Sequence, residues 1–297
     1  MLTIFSAPKP FKGHIGTIQR NAIHSWTLLD PRPEIILFGD DEGTAEVARN
    51  FDVSHVPEVS RNEFGTPLLN DLFDKAERKA SNSTLCYVNA DIVLLDDFMT
   101  AVERVSAWRE KFLMVGRRWD LDIQVPIDFS AVRWQDKIRH LALRNDCQRP
   151  PEWIDYFVFT RGVESQLLPF AIGRRHWDNW LIWHACSKGV PAVDASELVV
   201  AIHQNHDYGH HPGGRAGVWA GEEAKRNMAL VGGWWRHLTT ADATHRLTAN
   251  NVRLNSRRWT VKSRRAFWHY VQPSWFAFLN LTRPVRHRLG LRQRSAG

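Results

Sequence analysis

The stretch TLCYVNADIVLL, residues 84–95, decides the fold. Its opening residues are apolar or β-prone and carry no charge, the composition of a strand covered on both faces in the middle of a parallel sheet. Asn89 and Asp91 then break the run. As residues i and i+2 they are expected on the same side of an extended chain, at the carboxyl end of that strand. A carboxylate is costly to bury there unless a partner binds it. Two readings stand at this point: a site for a cation-bound ligand, or a strand-end turn in which Asn and Asp cap backbone groups.

Upstream, LTIFS (2–6) predicts a first buried strand that ends in the Pro-rich turn APKPF. Ile15, Ile18, Ala22, Ile23 and Trp26 predict a helix from about Ile15 to Leu29, stopped by Asp30-Pro31. EIILFGDD (34–41) predicts a strand running into an acidic turn, TAEVARNF (44–51) a short helix and VSHVPEV (53–59) a third strand. Thr66-Pro67 is expected to open a helix that continues to about Ala80. Downstream come a helix over about 97–108 and the strand FLMVGRR (112–118). Strands alternating with helices predict an α/β fold with a doubly wound, mostly parallel sheet flanked by helices. Ligands of such sheets bind at the carboxyl ends of strands, where polar residues end the apolar runs here.

The second half is less regular. A polar stretch (119–151) leads to the apolar run WIDYFVFT (153–160), a helix WDNWLIWHAC (177–186), a strand AVDASELVVAIHQ (192–204) and a His/Gly-rich loop (205–217). No internal repeat and no long Pro/Ser/Gly linker divides residues 1–250, so one domain is expected there, followed by a basic, Trp/Arg-rich extension over 251–297.

Composition narrows the class. An apolar fraction of 43% with 24% charged residues excludes wholesale disorder. No run reaches the roughly 18–20 apolar residues of a membrane span, and MLTIFSAPKPF lacks the zones of a signal peptide. Three dispersed cysteines, Cys86, Cys147 and Cys186, argue against a disulfide scaffold and fit a reducing cytoplasm. The net charge of +7 suggests nucleic acid, but it is unevenly spread. Residues 251–297 hold eleven Lys/Arg and no Asp or Glu, which leaves residues 1–250 with 28 basic and 32 acidic side chains, a net −4.

Neither the dinucleotide fingerprint G-x-G-x-x-G nor the Walker A loop is present, which argues against dehydrogenases and P-loop kinases. A carboxylate at Asp91 suits a divalent cation bridging nucleotide phosphates. Asn89-Ala90-Asp91 resembles the Asp-x-Asp metal motif of the GT-A glycosyltransferases, with Asn in the first acidic position. The resemblance covers roughly residues 1–210 in the order of elements. It implies a GT-A-like fold, a nucleotide-diphosphate sugar donor, Mn²⁺ or Mg²⁺ on Asp91, and transfer of the sugar to a hydroxyl acceptor in cell-surface glycan or polysaccharide synthesis.

Further residues match the family's pattern. Ser6, Pro8 and Lys9, after the first strand, resemble the loop that receives the base, and Asp40, after the second, the acid that bonds base or ribose. Arg61 and Asn62, before a helix, resemble the donor-contacting loop, where a guanidinium suits phosphate. Asp178, in RRHWDNW (174–180), resembles the acidic motif beneath the acceptor and is the candidate general base, with Asp155 the runner-up. His203 and His206 resemble the family's C-terminal metal or diphosphate ligand, and together with His210 and His211 they also raise a zinc site as a rival. Gly209, Pro212, Gly213, Gly214 and Gly217 suggest a segment that orders over bound donor. Fourteen tryptophans, among them Trp119, Trp134, Trp153, Trp177 and Trp219, could stack on sugar faces or serve packing.

The interleaved Arg and aromatic residues of the tail suit an anionic membrane surface, which a lipid-linked or glycan acceptor would require. Two other functions remain open on sequence. A nucleotidyltransferase would share the sheet and carboxylate–metal chemistry, though APKPFKGH is a poor triphosphate loop. A nucleic-acid-binding module would use only the tail and leave Asp91, Asp178 and the histidines without a role.

Overall fold

The computed structural model describes residues 1–144, 147–207 and 213–256. Residues Met1–Asn255 form one compact unit. Its first half alternates as expected: β1 (Leu2–Ser6), α1 (Gly13–Thr27), β2 (Glu34–Phe38), α2 (Thr44–Asn50), β3 (Ser54–Val56), α3 (Leu69–Lys79) and β4 (Thr84–Val88). There follow β5 (Ile92–Val93), α4 (Asp96–Trp108), β6 (Leu113–Leu121), α5 (Trp134–Arg144), β7 (Ile154–Thr160) and α6 (Trp177–Ser187). The described chain closes with β8 (Ala192–Asp194), β9 (Ala201–Gln204), α7 (Gly214–Ala220), α8 (Glu222–Val231), β10 (His245–Leu247) and β11 (Val252–Leu254).

The main path of the sheet runs β11-β10-β8-β6-β7-β4-β1-β2-β3. Strands β4, β1, β2 and β3 are parallel, as are β6, β8 and β10. Strand β7 runs antiparallel between β4 and β6 and joins the two parallel halves. The expected doubly wound, mostly parallel α/β sheet is present. Side chains alternate strictly between its faces. Ile4, Cys86, Val88 and Val158 pack under α1, α2 and α4, while Phe5, Leu85, Tyr87 and Phe159 pack under α3 and α6. On the second face Phe73 and Phe159 stack with ring centroids 5.4 Å apart, and Tyr87 meets Trp177 edge-on at 5.4 Å. This aromatic column ties the start of α6 to the central strand.

Several boundaries differ from the sequence reading. Residues 84–95 are not one strand: β4 ends at Val88, a turn closed by the Ile92 amide donating to the Asn89 carbonyl intervenes, and β5 pairs with β9 instead. Asn89 and Asp91 therefore reach the strand end through a turn rather than along an extended chain. The run 192–204 also breaks, because the Asp194 carboxylate accepts from the Ser196 amide at 2.9 Å and turns the chain into a second ladder. Helix α3 starts at Leu69, since Pro67 and Leu68 are engaged in β-bridges with Arg61 and Ala171. Helix α5 lies within the stretch read as irregular and buries only Ile138 and Ala142, too few positions to give a clear apolar period.

Strand β6 carries a register shift between Val115 and Arg117. At Gly116 a Cβ would meet the Tyr156 hydroxyl at 2.0 Å, so the bulge requires glycine. Beyond it β6 continues to Leu121 against β9, which brings Arg118 and Asp120 to the carboxyl end of the sheet. Among the described residues no helix is long and apolar enough to cross a membrane.

Candidate active site

A cleft of about 360 Å³ opens at the carboxyl ends of the central strands. Its inner wall is made by the turn after β4, the end of β6 and the segment after β9. Asp91 Oδ2 lies 3.2 Å from His206 Nε2 and 3.8 Å from His203 Nε2. One ligand atom from each of the three residues falls within 4.8 Å of the others. Asp91 Oδ1 is buried and has no hydrogen-bond partner among the described residues. Burial alone would raise the Asp91 carboxyl, but His203, His206 and Lys9 around it hold it well below the ordinary carboxylate range. A carboxylate with its pKa lowered and an unused oxygen, facing two imidazoles, fits a divalent cation.

The trio is fixed from behind. Gln204 donates from both its backbone N–H (3.2 Å) and its side-chain amide (3.1 Å) to the Asp91 carbonyl, and that amide also reaches the Ile18 carbonyl at 2.7 Å. Asn21 donates to Gln204 Oε1 at 2.9 Å. Trp26 Nε1 donates to the Ile92 carbonyl at 2.8 Å, which pins α1 to the same turn. Asp120 Oδ1 stands 3.4 Å from His203 Nδ1, close enough to interact by charge but not hydrogen-bonded to it, while Nε2 lies on the Asp91 side.

Asn89 holds no such opening. Its Oδ1 accepts from the Tyr87 hydroxyl at 3.0 Å and its Nδ2 donates to Asp155 Oδ1 at 2.6 Å. Asp155 Oδ2 in turn accepts from Arg118 Nη1 at 2.7 Å, and Arg118 Nε donates to Asp120 Oδ1 at 2.8 Å. Asp155 and Asp120 keep the Arg118 guanidinium charged against the opposing effect of its burial. Asn89 and Asp155 are thus members of one buried network under the cleft floor.

Asp178 is different. It sits in the first turn of α6, where its Oδ1 accepts from the Asn179 amide at 2.9 Å. Burial, with the Asp155 charge nearby, pushes its carboxyl up to about 7. The preceding His176 is in the left-handed region, φ 88°, a conformation that costs a β-carbon-bearing residue on the order of 1–3 kcal/mol. Ring contacts with Trp234 and His237 hold it there. This left-handed residue caps the start of α6, two positions before Asp178.

Lys9 also lines the cleft and faces Asp91. Gln19 clamps its backbone, accepting from the Lys9 N–H at 2.7 Å and donating to its carbonyl at 2.8 Å. Burial lowers the Lys9 ammonium, and Asp91 opposes the effect. A smaller hollow of about 80 Å³ shares Lys9, Asn89 and Asp91 with the cleft and is otherwise mostly apolar, lined by Ala7, Ile15, Ile18 and Ile172 among others.

The remaining expected residues are not in the cleft lining. Ser6 is fully buried and donates to the Val88 carbonyl at 2.6 Å, while Pro8 is buried beside it. Arg61 bonds Asp40 at 3.0 Å and Asp41 at 2.7 Å. Asn62 accepts from the Phe64 and Thr66 amides and donates to Glu223 at 2.7 Å. His210, His211, Gly209 and Pro212 lie outside the described residues, as does the tail from residue 257. Gly213 precedes α7, and Gly214 and Gly217 lie within it. Arg118, Asp120 and Gln204 were missed, although Arg118 and Asp120 carry the same signal as Asn89-Ala90-Asp91: alternate polar residues ending the apolar run FLMVG.

No protein-family model and no curated protein sequence matches this chain. Solved structures do. The chain is similar to glucosyl-3-phosphoglycerate synthase from Mycobacterium tuberculosis in complex with Mn²⁺, UDP and glucosyl-3-phosphoglycerate, at 14% identity over 80% of each chain and a TM-score of 0.46. It is similar to a mannosyltransferase from Pyrobaculum calidifontis in complex with GDP-Man and Mn²⁺, at 14% identity over 71% of this chain and 58% of that one, TM-score 0.45. It is also similar to S. aureus TarS, at 11% identity over 77% of this chain and 38% of that one, TM-score 0.49. At such identities and superpositions, residue roles do not transfer.

Proposed function

We propose that this protein is a metal-assisted glycosyltransferase that moves a sugar from a nucleotide-diphosphate sugar to a hydroxyl acceptor. One observation carries the reading: Asp91, with an unpartnered buried oxygen, converges with His203 and His206 in the same cleft as Lys9 and Asp178. Asp91, His203 and His206 would hold Mn²⁺ or Mg²⁺, and a bound cation would neutralise charge on a departing diphosphate. The smaller hollow, which adjoins the cleft at Lys9, Asn89 and Asp91, would take part of the donor.

The chain's own groups then have distinct tasks. Asp178 takes the proton of the acceptor hydroxyl while the acceptor oxygen forms its bond to the anomeric carbon. The anomeric carbon–oxygen bond to the diphosphate breaks, and its electron pair leaves on the diphosphate. The Lys9 ammonium faces that anion. Asp155 serves as a positioning residue, because Asn89 and Arg118 already occupy its two oxygens. An Asp178 base implies inversion at the anomeric carbon.

Cytoplasmic polysaccharide or glycan synthesis, with the basic C-terminal extension on an anionic membrane surface, extends the proposal. Its support is the Arg and aromatic interleaving of residues 257–297. Nucleic acid remains the disfavoured partner. A thermal-shift screen of UDP, GDP and their sugars with and without Mn²⁺ tests the reading, since binding to the native state raises the melting temperature. A Mn²⁺-dependent rise with a nucleoside diphosphate is expected, and no rise with any of them would overturn it.

A further inference from the structure

Arg118, Trp153, Arg175 and Trp219 line the cleft and belong to a ladder of arginines and indoles that runs on to Arg149 and Arg215 outside its lining. The Trp153 ring carries the Arg118 guanidinium at 4.6 Å and that of Arg149 at 4.9 Å from its centroid. Trp153 meets Trp219 at 5.1 Å. Trp219 in turn carries Arg175 and Arg215, each 5.0 Å from its centroid.

The two ends of the ladder differ in charge balance. Arg118 is neutralised by Asp155 and Asp120, and Arg149 Nε lies 2.9 Å from Asp120 Oδ2. Arg175 and Arg215 have no carboxylate within ion-pair distance among the described residues. Cation–π attraction holds both guanidinium groups to the same indole, and Arg175 also feels the Asp178 charge. A planar guanidinium fork matches the oxygens of a carboxylate or phosphate. Arg175 lines the cleft three residues before Asp178, so an anion held there lies beside the carboxyl that would take the acceptor's proton.

We propose that Arg175 and Arg215, stacked on Trp219, bind an anionic group of the acceptor, so that the substrate class is hydroxyl compounds bearing a phosphate or carboxylate. The inference rests on the glycosyl-transfer reading of the same cleft. Asp178 engages the reacting hydroxyl and the arginine pair engages the anion. Neutral sugars and polyols would lack the second anchor and bind weakly.

The test uses the full chain with Mn²⁺, UDP-glucose or GDP-mannose as donor, and glycerol 3-phosphate, glycerate or glycerol as acceptor. Vesicles containing phosphatidylglycerol give a lipid-borne phosphate as a fourth arm, which separates a soluble source of the anion from a membrane one. Transfer is expected with at least one anionic arm and to be at least tenfold weaker with glycerol. The double variant Arg175→Gln/Arg215→Gln should raise the acceptor KM by about tenfold or more, the usual size for losing charge-assisted bonds, with a much smaller change in kcat. Arg175→Lys/Arg215→Lys, which keeps the charge but not the fork, should fall between. Glycerol used as well as the anionic compounds, or an unchanged acceptor KM in the Gln double variant, overturns the proposal. Absence of donor turnover in every arm sinks the glycosyl-transfer reading instead. Calorimetry with glycerol 3-phosphate then decides the anion site: binding lost in the Gln double variant supports it, and no binding to the wild type overturns it.

Discussion

The inner and outer walls of the cleft are built on opposite plans. The inner wall places Asp91, His203 and His206 on backbone that the sheet, Gln204 and Trp26 immobilise. The backbone of the Asp91 turn is anchored there, and Asp91 Oδ1 is left without a hydrogen-bond partner among the described residues. The outer wall is made of long side chains on the approach to α6 and on α7, held to one another by ring stacking rather than by a backbone ladder. Chemistry that needs sub-ångström placement belongs on the first, and recognition of a variable partner on the second. On the proposed reading, metal and donor would sit on the first wall and the acceptor's anion on the second.

Substitutions can break that division, beginning where the effect should be greatest. Asp91→Ala removes the only carboxylate of the trio and should lower kcat/KM by about a thousandfold or more, together with the Mn²⁺-dependent thermal shift. Retained Mn²⁺ dependence would mean that the inner wall does not hold the cation.

Asp178→Asn should lower kcat by about 10²–10⁴-fold, the range for a general base. In the wild type kcat should rise with pH through about 7, as the raised Asp178 carboxyl ionises, and this step should vanish in the variant. Asp155→Asn should act differently: the Arg118 network loses a charge, stability falls, and the pH step remains. A pH step that survives in Asp178→Asn but not in Asp155→Asn would exchange the two roles.

Asp120→Asn leaves the trio intact but weakens the support behind His203. It should reduce Mn²⁺ affinity about 10–100-fold, read by titration. An unchanged affinity would show that His203 is oriented by the strand alone.

The smallest effect lies outside both walls. Glu164 is buried with neither carboxyl oxygen bonded among the described residues, and burial pushes it up to about 8. Such a group favours the folded state only while protonated, so stability is lost as pH rises from about 4.5 toward 8. Glu164→Gln should raise the melting temperature by about 3–6 °C at pH 8 and by nearly nothing at pH 4.5. A gain independent of pH would assign the effect to packing.

The two walls were also unequally legible in the sequence. Strand-end signals are local: an apolar run cut by Asn89 and Asp91, or by His203, places polar groups at the carboxyl edge of the sheet whatever the rest of the chain does. The doubly wound sheet was legible for the same reason. The roles within a motif were not. Asn89 looked like the partner of Asp91, but the turn after Val88 sends its side chain to Tyr87 and Asp155, residues separated from one another by almost seventy positions. Arg61 and Asn62 were expected to contact donor; in the structure Arg61 pairs with Asp40 and Asp41 and Asn62 donates to Glu223. The outer wall depends on contact between Trp153 and Trp219, which no spacing announces. The isolated helix α5 was hidden by its largely polar faces.

The central claim, that this cleft transfers a sugar with the help of a cation on Asp91, is tested most directly by identifying the nucleotide released. The full chain would be incubated with Mn²⁺ and either UDP- or GDP-sugars or the matching nucleoside triphosphate and sugar 1-phosphate, and the products separated by anion exchange, with Asp91→Ala as the control. Mn²⁺-dependent release of the nucleoside diphosphate, absent from the Asp91→Ala reaction, is the result predicted. Release of pyrophosphate from a nucleoside triphosphate and a sugar phosphate, with no nucleoside diphosphate from any sugar donor, would contradict it and make the protein a nucleotidyltransferase.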